Sequence, residues 1–131
     1  MNTPENITSL PANAVFVFGS NEAGRHGAGA ASLAMHQFGA RYGMGFGRSG
    51  QSFAIPTKDW NLKTLPLPSI EHYVSRFLEY ARIYPEFQFY VTKIGCGLAG
   101  YKPDEIAPIF AHVGKNVILP KEFQEQLEPM F

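Results

Sequence analysis

Several short stretches of the chain bring together residue types that can do chemistry. Lys58 follows Ile55-Pro56-Thr57, with Asp59 and Trp60 directly after it. A lysine beyond the carboxyl end of a strand can hold a phosphate, or act as an amine nucleophile where its neighbours lower its pKa. A solvated Lys-Asp pair in a surface loop is the simpler alternative. The turn Gly19-Ser20-Asn21-Glu22-Ala23-Gly24-Arg25-His26-Gly27-Ala28-Gly29 sets backbone donors and two basic side chains just ahead of a helix-forming stretch. Such a turn attracts anions through unsatisfied N–H groups and the helix dipole, and Arg25 and His26 can add charge and hydrogen bonds to it. A second glycine cluster, Gly95-Cys96-Gly97-Leu98-Ala99-Gly100, carries the chain's one thiol. No His and acid at a suitable spacing identifies an activating partner for Cys96, so an inert small side chain fits better than a nucleophile.

Other patterns carry less. Gly45-Phe46-Gly47-Arg48-Ser49-Gly50 spells GxGxxG, but it lies between a helix and a strand, whereas a dinucleotide fingerprint follows a strand and opens a helix. No GxxxxGK[ST] is present. His36, His72 and His112 fall on expected helices and read as structural or surface residues. Phe46, Trp60 and Tyr101 are loop aromatics that can stack on a base or ribose, or equally cover an edge of the core.

The elements that must position these residues follow from periodicity. Val15-Phe16-Val17-Phe18 is a continuous apolar run suited to a strand buried on both faces. The Ala-rich stretch from Gly27 to Phe38 predicts a helix stopped by Gly39. Ser52-Phe53-Ala54-Ile55 predicts a second strand closed by Pro56. From Pro68 to Tyr84, apolar Ile70, Tyr73, Val74, Phe77, Leu78 and Ala81 recur at helical spacing, with Glu71, Arg76, Glu79 and Arg82 for the wet side. Phe87 to Ile94 reads as a strand running into the second glycine cluster. Pro103 to Ala111 reads as a helix, Val117-Ile118-Leu119 as a last strand, and Lys121 to Leu127 as a terminal helix. The alternating order predicts an α/β domain with a mixed, largely parallel central sheet, spanning residues 1–131 as one unit. Ligands of such sheets sit beyond the carboxyl ends of strands, where both glycine clusters fall.

Composition bounds the function. The 131 residues hold 11 Lys+Arg and 11 Asp+Glu, and 17% are charged, which argues against a protein held to nucleic acid mainly by phosphate neutralisation. A lone cysteine cannot form an intrachain disulfide, and the four His with it show no zinc spacing. No metal and no organic cofactor is expected. The stretch from Met1 to Ala14 is not a signal-like segment, and no run of about 18 apolar residues exists, so a cytoplasmic protein with no membrane partner is expected. Neutrality is nonetheless a sum of unlike parts. Ala23 to Thr57 contains Arg25, Arg41 and Arg48 and no carboxylate, with Lys58 next, while Lys121 to Phe131 carries Glu122, Glu125 and Glu128. The acid-free, glycine-rich part suits a compact anion.

Taken together, Val15 to Asn21, the turn from Gly24 to Ala31, Ile55-Pro56-Thr57-Lys58, the helix from Pro68, and Thr92-Lys93-Ile94-Gly95-Cys96-Gly97-Leu98-Ala99-Gly100 resemble the macrodomain family. The nearest branch contains terminal ADP-ribose glycohydrolase and the antitoxins that remove ADP-ribose from DNA. The resemblance implies a three-layer α/β/α sandwich that binds ADP-ribose or a related nucleotide, carried in the family on protein or DNA. It implies that Asn21 contacts the distal ribose, that Gly27 and Gly29 lie in the loop that approaches it, that Gly95 to Tyr101 wrap the diphosphate with backbone N–H groups, and that Ser20 and Ala28 belong to the same ligand-binding set. It further implies Lys58 as the amine that attacks the anomeric carbon in a glycosyl hydrolase. Two positions depart from the branch. Its catalytic acid follows "GCGL", where this chain has Ala99, so Asp59, Asp104 or His26 would have to supply the proton. The acid that many macrodomains set against adenine falls near Ala14. A non-catalytic ADP-ribose-binding module is therefore the alternative expectation.

Overall fold

The computed structural model describes residues 2–128. Its centre is β1 (Ala14–Asn21), the middle strand of a five-stranded sheet. On one side β1 pairs in parallel with β3 (Ser52–Lys58), which in turn pairs antiparallel with β2 (Gly47–Ser49) at that edge. On the other side it pairs in parallel with β4 (Gln88–Val91), and β4 with β5 (Val117–Ile118). The order is β2-β3-β1-β4-β5.

Successive strand side chains point to opposite faces, so β1 feeds two cores. Val15 and Val17 join Phe53, Ile55, Val74, Phe77 and Phe89 on one face. Phe16 and Phe18 join Ala31, Ala34 and Phe38 on the other. That second face is covered by α1 (Gly29–Gln37), whose buried alanines let it lie close against the strand. The first face is covered by α2 (Leu67–Ile83), α3 (Pro103–Ile106) with the 3₁₀ turn Ala107–Phe110, and α4 (Lys121–Leu127). The result is the expected α/β/α sandwich around a mixed, mostly parallel sheet. Ile70, Val74, Phe77 and Ala81 form the buried stripe of α2, and the Phe77 ring meets Phe53 at 5.0 Å between centroids.

Several boundaries differ from the sequence expectation, each for a local reason. Pro56 does not close its strand, because β3 continues to Lys58. Its neighbour β2 has already ended opposite Ala54, so the strand there is paired on the β1 side only, where a missing N–H is tolerated. The segment from Gly45 to Gly50, set aside as a failed fingerprint, supplies β2 itself. The helix expected over Pro103 to Ala111 is α-helical only to Ile106, since Pro108 cannot donate to the ladder and the chain tightens into 3₁₀ geometry. The strand expected over Phe87 to Ile94 gives way after Val91, where Ile94 turns back to donate to the Thr92 carbonyl at 2.7 Å.

The N-terminal segment, which has no periodicity, is pinned at the far edge. The Thr3 amide donates to the Leu119 carbonyl and its hydroxyl to the Ile118 carbonyl, both at 2.9 Å. Among the described residues no helix is long and apolar enough to cross a membrane.

Candidate functional site

The carboxyl ends of β1, β3 and β4 open onto one cleft of about 1010 Å³. Three loops frame it, and each is held by its own hydrogen bonds.

The β1–α1 loop is tied down by Asn21. Its Oδ1 accepts from the Arg25 amide at 2.9 Å and its Nδ2 donates to the Arg25 carbonyl at 3.0 Å. Asn21 borders the cleft, but its amide fixes the loop through Arg25. The Ser20 hydroxyl donates to the Gly45 carbonyl. Close packing demands glycine here: a side chain at Gly24, whose φ is +71°, would come within 2.3 Å of the Gly43 backbone. Beyond the loop, α1 starts with Ala28 as an N-cap that has no side chain to offer. The amides of Gly29, Ala30 and Ala31 therefore have no partner in the helix, and all three residues line the cleft.

The loop after β4 has a matching character. The Gly100 amide donates to the Gly97 carbonyl at 3.0 Å and the Tyr101 amide to the Gly95 carbonyl at 2.8 Å, which closes the loop on itself. The amides of Gly97, Leu98 and Ala99 make no hydrogen bond among the described residues, and all three residues line the cleft. Gly95 holds a φ of +78°, and a Cβ there would sit 2.9 Å from Cδ1 of buried Ile106. Cys96 lines the cleft between them. Burial pushes its thiol up to about 11, which leaves it protonated and a poor nucleophile at neutral pH.

The third loop follows β3. Half-buried Lys58 lines the cleft and makes no ion pair among the described residues. It bridges to Thr64, whose hydroxyl donates to the Ala99 carbonyl at 2.9 Å. The lysine and the glycine loop are thus joined through one threonine.

Lys58, Ser20, Asn21, Gly27, Ala28, Gly29 and Gly95 to Ala99 all meet at this cleft. Four other expected residues do not line it. His26 is fully buried, its ring edge-on to Phe18 at 5.2 Å and its Nε2 3.1 Å from the Met44 carbonyl, so it fills the core behind the loop. Burial pulls its pKa below the usual 6.5, against the opposing pull of the Met44 and Arg41 carbonyls. The Oδ1 of Asp59 accepts the amides of Asn61 and Lys63 at 2.8 and 3.0 Å, capping its own turn. Gly100, with φ +88°, is part of the loop closure. Tyr101 donates its hydroxyl to the Leu65 carbonyl at 2.6 Å and latches the loop from outside. Of the loop aromatics, Phe46 packs on Phe53 and Trp60 is exposed away from the cleft, where Phe16 and Tyr42 are the aromatic lining.

Sequence reasoning missed the other end of the cleft. Residues 2–5 and Ile7, together with Pro120, Lys121 and Glu122, line it there, and Lys93 pairs with Glu122 at 3.2 Å. No local pattern marked these residues, because the Thr3 pairing with Ile118 and Leu119 spans almost the whole chain. Among the described residues, no three His, Cys, Asp or Glu side chains come together as a metal site.

Comparison of the chain with family models, with curated proteins and with solved structures returned no match.

Proposed function

We propose that the chain binds ADP-ribose or a related nucleotide diphosphate in this cleft. One observation carries the reading. Two sets of backbone amides without partners among the described residues, Gly29 to Ala31 at the start of α1 and Gly97 to Ala99 after β4, border the same cavity. Unsatisfied backbone donors at a helix start and in a glycine-rich turn suit a compact anion with several acceptor oxygens. The cations Arg25 and Lys58 on the same cleft add positive potential. The sequence resemblance to macrodomains supplies ADP-ribose as the specific candidate.

A second reading adds hydrolysis of an ADP-ribosyl linkage on protein or nucleic acid. It is favoured by Lys58, which makes no ion pair among the described residues and is held at the carboxyl end of β3 beside the cleft. Attack by its amine on the anomeric carbon would break the glycosidic bond, and water would then release the sugar from the adduct. A proton must also reach the leaving group. Ala99 cannot provide it, His26 is packed into the core, Asp59 caps its own turn, and Asp104 is exposed in the first turn of α3 and does not line the cleft. Retention of the ligand without turnover is accordingly the primary reading.

Calorimetry with ADP-ribose tests binding, and absence of heat and of any thermal shift at millimolar ligand overturns it. Incubation with ADP-ribosylated protein and DNA tests turnover. Release of ADP-ribose by the wild type and not by Lys58→Ala establishes the hydrolytic reading; equal release by both removes Lys58 from it.

A further inference from the structure

Lys58 reaches the cleft by way of an irregularity in the sheet. β1 and β3 run in register up to Ser20 and Pro56, and the next pair is Asn21 with Lys58. Thr57 is thus the extra residue of a β-bulge, a feature that bends a strand and re-aims the side chains beside it. In an unbroken register Thr57 would stand opposite Asn21; with the bulge, Lys58 does. The Glu22 amide closes the bulge by donating to the Lys58 carbonyl at 2.9 Å. Glu22 is the first residue beyond β1, and Gly45 packs so closely on it that a Cβ at Gly45 would lie 2.7 Å from the Glu22 carbonyl oxygen.

The Glu22 side chain is no part of the cleft lining. It turns to α2, where the Tyr73 hydroxyl donates to its Oε2 at 2.5 Å, short as hydrogen bonds to a carboxylate are. Tyr73 is itself well set. Ile70, Val74 and Phe77 bury the same stretch of α2 against the sheet, and the Phe46 ring lies 5.5 Å from the Tyr73 ring, with the Arg76 guanidinium 4.5 Å from the Phe46 centroid. The bond to Glu22, helped by burial, raises the phenol pKa above its usual 10.0, so the hydroxyl remains a donor throughout the neutral range. A hydrogen-bonded path therefore runs from a helix fixed in the core, through Tyr73 and Glu22, to the backbone of Lys58.

We propose that Glu22 and Tyr73 are positioning residues for Lys58: the pair keeps the bulge closed, and the closed bulge sets the amine in the cleft. The effect on ligand affinity rests on the diphosphate reading above, whereas the effect on the lysine itself does not.

The test uses the full chain. In protein carrying ¹³C-labelled lysine, the Lys58 Cε resonance, assigned with Lys58→Arg, should shift in Tyr73→Phe and in Glu22→Ala. It should stay in place in Glu22→Gln, which keeps an acceptor oxygen for the tyrosine. Hydrogen exchange at residue 22 should speed by at least about tenfold in Tyr73→Phe, where the ring keeps its packing and only the hydroxyl is lost. ADP-ribose affinity should fall about three- to tenfold in the same variant, the loss expected for one hydrogen bond. Added to Lys58→Ala, Tyr73→Phe should cost less than about twofold, because the residue it positions is gone. An unmoved Lys58 resonance in Tyr73→Phe overturns the proposal, as does an equal affinity loss with and without Lys58, or a Glu22→Gln protein that behaves as Glu22→Ala. Failure of ADP-ribose to bind the wild type overturns the diphosphate reading alone, and the resonance and exchange measurements then decide the positioning by themselves.

Discussion

The Thr64 hydroxyl donates to the Ala99 carbonyl at 2.9 Å, and Thr64 also bridges to Lys58. The residue that stands where a catalytic acid would be expected is thus a backbone strut between two of the loops that frame the cleft. Its carbonyl is occupied by Thr64, and its amide remains available to the cavity. Thr64→Val deletes this strut on an exposed surface, so the stability cost should be about 1 kcal/mol or less. The affinity for ADP-ribose should fall several-fold, because Gly97 to Ala99 would no longer be held against β3. Melting and calorimetry on the same variant separate the two effects, and unchanged affinity would show that Thr64 does not set the loop.

Gly95 and Gly97 should respond to alanine in opposite ways. At Gly95 the left-handed backbone and the contact with Ile106 leave no space for a methyl group, so Gly95→Ala should lower stability by about 1–3 kcal/mol in chemical denaturation. At Gly97 a Cβ would meet nothing within 4 Å. Gly97→Ala should keep its unfolding midpoint and lose ligand affinity by placing a methyl group among the cleft amides.

His26 makes stability depend on pH. Its folded-state pKa lies below the usual value of 6.5, chiefly through burial. As pH falls through 6.5 the unfolded chain takes up the proton first, so the contribution is complete above that value and declines as pH falls toward the folded pKa. Denaturation midpoints between pH 8 and 5 should show this decline, and His26→Phe should flatten it. A wild-type profile that is level over this range would contradict the assignment.

Cys96 should be a slow thiol despite bordering the cleft. With its pKa pushed up to about 11, alkylation by iodoacetamide at pH 7.5 should run well below the rate of an unperturbed cysteine. Cys96→Ala should retain ADP-ribose binding, since the loop offers backbone amides there. Rapid alkylation, or loss of binding in the variant, would assign the thiol a part in the site.

Much of this protein was determined locally. The alternation of Val15, Phe16, Val17 and Phe18 fixed a strand with two buried faces, and the spacing from Ile70 to Ala81 fixed which side of α2 meets the sheet. Glycines at strand ends marked the two loops that border the cleft, because close backbone approach and positive φ exclude other residues there. Local pattern did not decide which loop side chains face the cavity. His26 and Asp59 have the chemistry of a site in sequence, yet one turns inward against Phe18 and the other caps its own turn. Residues 2–7 have no periodicity at all, and still close one end of the cleft through Thr3. Periodicity reports the face an element buries, a property of near neighbours. The direction of a loop side chain depends on hydrogen bonds between distant segments, Thr64 to Ala99 and Thr3 to Leu119 among them, and those exist only once the sheet has brought the segments together.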